Sequence, residues 1–93
     1  MPENDTRMKE YILITGASSG IGLEMAKQLA AKNFHLILVA RREDLLVQLQ
    51  NELKSQFKIE VEYLLYDLSE PNAAQDLFNE VKQHNYAVTG LIN

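Results

Sequence analysis

The sequence predicts an α/β fold in three layers, a parallel sheet with helices on both faces. Three observations point there. Short, continuous apolar runs recur along the 93 residues. Segments with helical spacing of apolar side chains separate these runs. The handover from the first run to the first helical segment, residues 15 to 22, reads TGASSGIG and carries three of the chain's four glycines. Unbroken apolar runs suit strands buried on both faces, as parallel sheets require. Strands alternating with helices of roughly 10–15 residues imply βαβ units with right-handed crossovers.

The elements follow in order. Residues 1 to 9 are polar and of mixed charge, and are expected to form a flexible tail. Tyr11 to Ile14 form the first strand. From Gly20 to about Lys32 the period becomes helical: Ile21, Met25 and Leu29 recur every four residues, with Ala26 and Ala30 beside them for close packing. His35 to Ala40 form a second buried strand. Glu43 to Phe57 return to helical spacing, with Leu45, Leu46, Leu49 and Leu53 inward. Lys58 to Tyr66 read as a third strand with one solvated face, because Ile59, Val61 and Tyr63 alternate with Glu60 and Glu62. Ser69, Glu70 and Pro71 supply helix-start chemistry, and a helix from about Pro71 to His84 is expected to turn Ala74, Leu77, Phe78 and Val81 inward. Thr89 to Asn93 begin a fourth strand. Right-handed crossovers put the first two helices on one face and the third on the other. The strand order is then 3-2-1-4, a truncated half of a doubly wound domain.

Composition excludes several functions. Hydrophobic residues make up 46% and charged residues 24%, with a net charge of -4, against the basic excess of nucleic-acid and anionic-membrane binders. With no cysteine there is neither a disulfide framework nor a thiolate metal site, and His35 and His84 are too far apart to suggest a metal site. The start lacks the apolar core of a signal peptide, and no stretch approaches the ~18 apolar residues of a membrane span. The expected location is cytoplasmic.

In a parallel sheet the first strand-to-helix turn opens at the carboxyl edge, where free N–H groups and the positive helix end favour an anion, above all a pyrophosphate. Gly16 allows the sharp turn, Gly20 a close backbone approach to phosphate, and Gly22 close packing of helix on sheet. Ser18 and Ser19 add hydroxyl donors. The spacing is not that of a P-loop, which needs Gly-Lys-Ser/Thr after a four-residue gap from Gly16, where Ile21 stands instead of the glycine. At the end of the second strand, where NAD-binding units usually place an acid, come Arg41 and Arg42. Guanidinium groups bind a 2′-phosphate, which favours NADP(H) over NAD. The competing reading is that the two arginines merely solvate the surface or pair with Glu43 and Asp44.

Together these residues resemble the short-chain dehydrogenase/reductase family, over residue 10 to the last. Its TGxxxGIG motif is matched by Thr15 to Gly22, including Ile21. The arginine of NADP-preferring members is matched by Arg41 and also Arg42, the adenine-touching Asp-Leu pair by Asp67 and Leu68, and the first asparagine of Asn-Asn-Ala-Gly by Asn93. The resemblance implies residues 10–93 to be the N-terminal part of a Rossmann dinucleotide-binding domain. It also implies that the full enzyme transfers a hydride between NADPH and a small-molecule carbonyl or alcohol. Family catalysis uses a Ser, a Tyr-x3-Lys pair and a further Asn downstream of the fourth strand. Here Thr15, Asp67, Glu70 and Gly90 stand four residues beyond the tyrosines, so no catalytic residue is assigned. The stop inside the asparagine motif leads to the expectation of a fragment inactive alone. The alternative is a non-catalytic nucleotide-binding or interaction module, associating into a homo-oligomer through an open sheet edge.

Overall fold

The computed structural model describes residues 9–93. The tail expected over residues 1 to 9 lies outside them except for Lys9, whose ammonium pairs with Glu60 at 3.3 Å. The elements are β1 (Glu10–Thr15), α1 (Gly20–Ala31), β2 (His35–Ala40), α2 (Glu43–Gln56), β3 (Val61–Leu65), α3 (Ala73–Gln83) and β4 (Ala87–Ile92). All strand pairs are parallel and the order is β3-β2-β1-β4, as the crossovers require.

The sheet separates two apolar clusters. Leu36, Leu38 and Ala40 of β2 join Ile14 of β1, Val61 of β3 and the helix residues Ala26, Ala30, Leu46, Leu49 and Leu53. Ile37 and Val39 turn the other way, to Tyr11, Leu13 and Leu64, under Leu77 and Val81 of α3. The alternate residues of β2 therefore enter different cores, and this is why its apolar run is unbroken.

Several expectations about facing are corrected. The contact face of α1 is made of its small side chains, Ala26 and Ala30, which are fully buried. Met25 and Leu29 flank that face, and Ile21 is 81% exposed. A helix pressed close to a sheet has room for methyl groups at its line of contact and turns longer side chains aside. On α3 the buried stripe is Ala73, Leu77 and Val81, while Ala74 and Phe78 are exposed. One helix alone covers this sheet face, so its flank has nothing to pack against among the described residues.

Boundaries shift for equally local reasons. β3 starts at Val61 rather than Lys58, where pairing with Leu36 of β2 begins. The amide of Glu60 instead donates to Nδ1 of His35 at 2.9 Å. α3 starts after Asn72, which takes a left-handed conformation at φ 69°. Ser69 does not cap it, because its hydroxyl and amide are turned back onto Asp67. β4 begins at Ala87, ahead of the expected Thr89, and Thr89 bulges out of register between the pairs Tyr11–Val88 and Ile12–Gly90.

α1 and α3 end by the same device. Asn33 and Asn85 adopt left-handed φ values of 68° and 59°. The next residues, Phe34 and Tyr86, donate their amides back to Leu29 and Val81, closing Schellman turns. Among the described residues, no helix is long and apolar enough to cross a membrane.

Candidate functional site

The carboxyl ends of all four strands lie along one edge of the sheet, and β2 and β4 leave β1 in opposite directions. Such a switch point opens a crevice beside β1. The crevice is a cleft of 360 Å³ lined by residues that end or follow the strands. Thr15, Gly16, Ser18 and Ser19 come from the β1–α1 turn, and Val39, Ala40 and Arg41 from the end of β2. Tyr66, Asp67 and Leu68 follow β3, and Asn93 follows β4.

The turn has the backbone its glycines permit. Gly16 and Gly20 have φ values of 64° and 57°, and a Cβ at either would point into open space, leaving the backbone approachable. Gly22 has a different task. A Cβ there would overlap the carbonyl oxygen of Gly16 and lie 2.8 Å from its carbonyl carbon. The amide of Ala17 donates to the carbonyl of Val39 at 3.2 Å, tying the turn to β2.

Ser19, the N-cap of α1, makes no side-chain capping bond, and the first turn carries no acidic residue. The leading N–H groups and positive helix end are left for an anion from outside. The first turn of α2 differs, with Glu43 and Asp44 in place. These features fit a phosphorylated ligand at α1: free donors, no competing carboxylate, and glycines without a Cβ in the way.

Three side chains set the electrostatics. Arg41 reaches across the cleft to Asp67 at 3.8 Å, its own side chain 73% exposed. Asp67 accepts from the hydroxyl and amide of Ser69 at 2.6 and 3.0 Å. These bonds first, and then the guanidinium of Arg41, hold its carboxyl below the usual carboxylate range. Tyr66 donates to Glu80 at 2.6 Å, and this bond with burial pushes its phenol up to about 12. At the far end Thr15 donates to Oδ1 of Asn93 at 2.7 Å, joining β1 to the end of β4.

Of the residues singled out in the sequence, Gly16, Ser18, Ser19, Arg41, Asp67, Leu68 and Asn93 line the cleft. Gly20, Ile21, Gly22 and Arg42 do not. Gly20 and Gly22 shape the turn, Ile21 faces solvent, and Arg42 forks onto Asp44 through Nε at 3.3 Å and Nη2 at 2.9 Å. Thr15, Val39, Ala40 and Tyr66 line the cleft without having been singled out. Their signal was positional, since each adjoins the carboxyl end of a strand in a predicted parallel sheet.

Comparison with known proteins gives the same architecture. The family profile described as short chain dehydrogenase matches residues 10–93. The very-long-chain 3-oxoacyl-CoA reductase of Kluyveromyces lactis is 45% identical over 84 residues, covering 89% of this chain and 24% of that protein. Its namesake from Candida albicans is 36% identical, covering 90% of this chain and 24% of that protein. Among solved structures, L-sorbose reductase from Gluconobacter frateurii, complexed with NADPH and L-sorbose, superposes with a TM-score of 0.82. It is 31% identical, over 92% of this chain and 33% of that one. The alcohol dehydrogenase of Thermococcus sibiricus, complexed with 5-hydroxy-NADP, gives 0.80 at 33% identity, over 91% and 36%. The chain thus spans about a quarter of the length of the curated relatives it matches.

Two outcomes follow from the geometry. Gly22→Ala forces a methyl group against the Gly16 carbonyl and is expected to cost about 1–3 kcal/mol in urea unfolding, as overpacking does. A variant as stable as the parent would show that α1 can move off the turn. The second concerns alkaline pH. The folded chain holds the Tyr66 proton more tightly than the unfolded chain does. The stability this confers is whole below pH 10, and is lost as the pH rises toward 12. In a titration of phenolate absorbance, Tyr66→Phe should remove the last-titrating tyrosine.

Proposed function

The chain belongs to the short-chain dehydrogenase family, and from that membership we propose that residues 10–93 hold NADP(H) as the cofactor-binding portion of an oxidoreductase. One observation carries the reading: an uncapped, acid-free N-terminus of α1 opens into a cleft that has a guanidinium at the end of β2. In this assignment the turn from Gly16 through Ser18, Ser19, Gly20 and Ile21 to Gly22 receives the pyrophosphate on backbone N–H groups and serine hydroxyls. Arg41 takes the 2′-phosphate, breaking its long contact with Asp67 in favour of a more highly charged group. Leu68, partly exposed over the cleft, offers apolar surface to the adenine, and Asp67 accepts from its amino group. Asn93 marks the end of the cleft toward the nicotinamide.

When bound, the cofactor supplies or accepts a hydride, and the full-length reaction we propose is interconversion of a carbonyl and an alcohol. The fungal relatives are named for reduction of a 3-oxoacyl thioester, a member of that class. These 93 residues contain no Tyr-x3-Lys, so by this reading the chain alone binds without turning over. NADPH and NADH titrated against the purified chain by nucleotide fluorescence should show saturable NADPH binding, tighter by about tenfold for one charge-assisted contact. Arg41→Ala should remove that preference, and NADPH should stay unoxidised with carbonyl substrates present. Failure to bind either nucleotide sinks the reading.

A second reading, a module that associates through its sheet edge, is favoured by the contrast between the two edges. At β3 the edge carries Glu62, and Gln50 of α2 donates to the Val61 carbonyl at 2.6 Å. At β4 the edge strand, AVTGLI, carries no charged side chain. Concentration-dependent dimerisation, suppressed by Thr89→Lys in sedimentation experiments, is the expected outcome; a monomer at every concentration counts against it.

A further inference from the structure

Two adjacent arginines end the second strand, yet only Arg41 lines the cleft. Arg42, the N-cap of α2, is turned to Asp44 by a two-pronged contact, with Nε at 3.3 Å from Oδ1 and Nη2 at 2.9 Å from Oδ2. The fork occupies two donor positions of the Arg42 guanidinium, on a residue whose Cα lies about 3.8 Å from that of Arg41. The neighbouring acid is otherwise engaged, since Glu43 accepts from the hydroxyl of Tyr63 at 2.9 Å. Of the two acids at the start of α2, only Asp44 pairs with an arginine among the described residues.

We propose that Asp44 is a specificity-determining residue, holding Arg42 away from the cleft and so moderating the chain's preference for a 2′-phosphorylated nucleotide over its unphosphorylated counterpart. The proposal rests on the NADP(H) reading above. The stretch from Arg41 to Asp44 is formally neutral, two cations and two anions. Its charge distribution, rather than its net charge, therefore decides what a phosphate meets. With the fork closed, a 2′-phosphate at Arg41 meets one guanidinium, itself shared with Asp67. With the fork open, a second guanidinium is free to reach the same anion and a carboxylate no longer opposes it. An exposed, solvent-screened ion pair is weak enough for this competition to be finely balanced, so the expected change is modest.

The test is a fluorescence titration of NADPH and NADH against the whole chain and its Asp44→Asn, Glu43→Gln, Arg42→Ala and Arg42→Ala/Asp44→Asn variants. Asp44→Asn should tighten NADPH binding by about two- to fivefold, the range for release of an exposed pair, and leave NADH binding within twofold. Glu43→Gln removes an equal charge without freeing Arg42 and should give a smaller gain. The gain should vanish in the Arg42→Ala background. Asp44→Ser, which keeps a short polar side chain at the helix start, should reproduce the effect if Asp44→Asn folds poorly. NADPH binding by the parent with no gain in either Asp44 variant, or a gain that survives loss of Arg42, overturns the latch and leaves the cofactor reading intact. Binding of neither nucleotide by any variant overturns both.

Discussion

The close approach of α1 to the end of β1 is the contact on which the rest of the molecule depends. It exists because Gly22 presents only hydrogen to the carbonyl of Gly16. With the helix start held there, Ala26 and Ala30, four and eight residues further on, meet the sheet at methyl-group distance and are fully buried. The same approach fixes the positive end of α1 at the carboxyl edge of the sheet, over the mouth of the cleft. Packing and binding are thus one geometrical decision.

The two helices on that face divide the electrostatics between them. α1 leaves its first turn without a cap or an acid, so its donors remain for a ligand. α2 carries Glu43 and Asp44 in its first turn, and each is engaged internally, by Tyr63 and Arg42. A negatively charged ligand therefore meets a favourable helix end at one neighbour and a satisfied one at the other. Arg41 stands between them at the end of β2, within 3.8 Å of Asp67 across the cleft.

The parallel sheet imposes its own demand, cover on both faces, and the two faces meet it unequally. Two helices enclose one apolar cluster, whereas among the described residues α3 alone lies over the other, leaving Phe78 on its flank 45% exposed. The edges are unequal too, with Gln50 and Glu62 at β3 and an uncharged strand at β4.

Most of the architecture was legible in the chain. The unbroken runs at Tyr11 and His35, short and followed by turn residues, fit strands buried on both faces, and chirality of the crossovers then left one strand order. The three glycines located the turn beside the cleft, since Gly16 and Gly20 take left-handed φ values that few side chains adopt and Gly22 lies where a Cβ would strike the Gly16 carbonyl. Facing within helices was less legible, because Ile21 or Phe78 is inward only if something lies opposite it, and the opposing surface is assembled from distant sequence. The same holds for Ser69, read as a cap until Asp67 claimed its hydroxyl, and for the arginines. Local chemistry determined that two guanidinium groups end β2. Only tertiary structure decided that Arg41 turns to the cleft and Asp67 while Arg42 turns to Asp44, because side-chain pairing is a competition among partners that folding brings together.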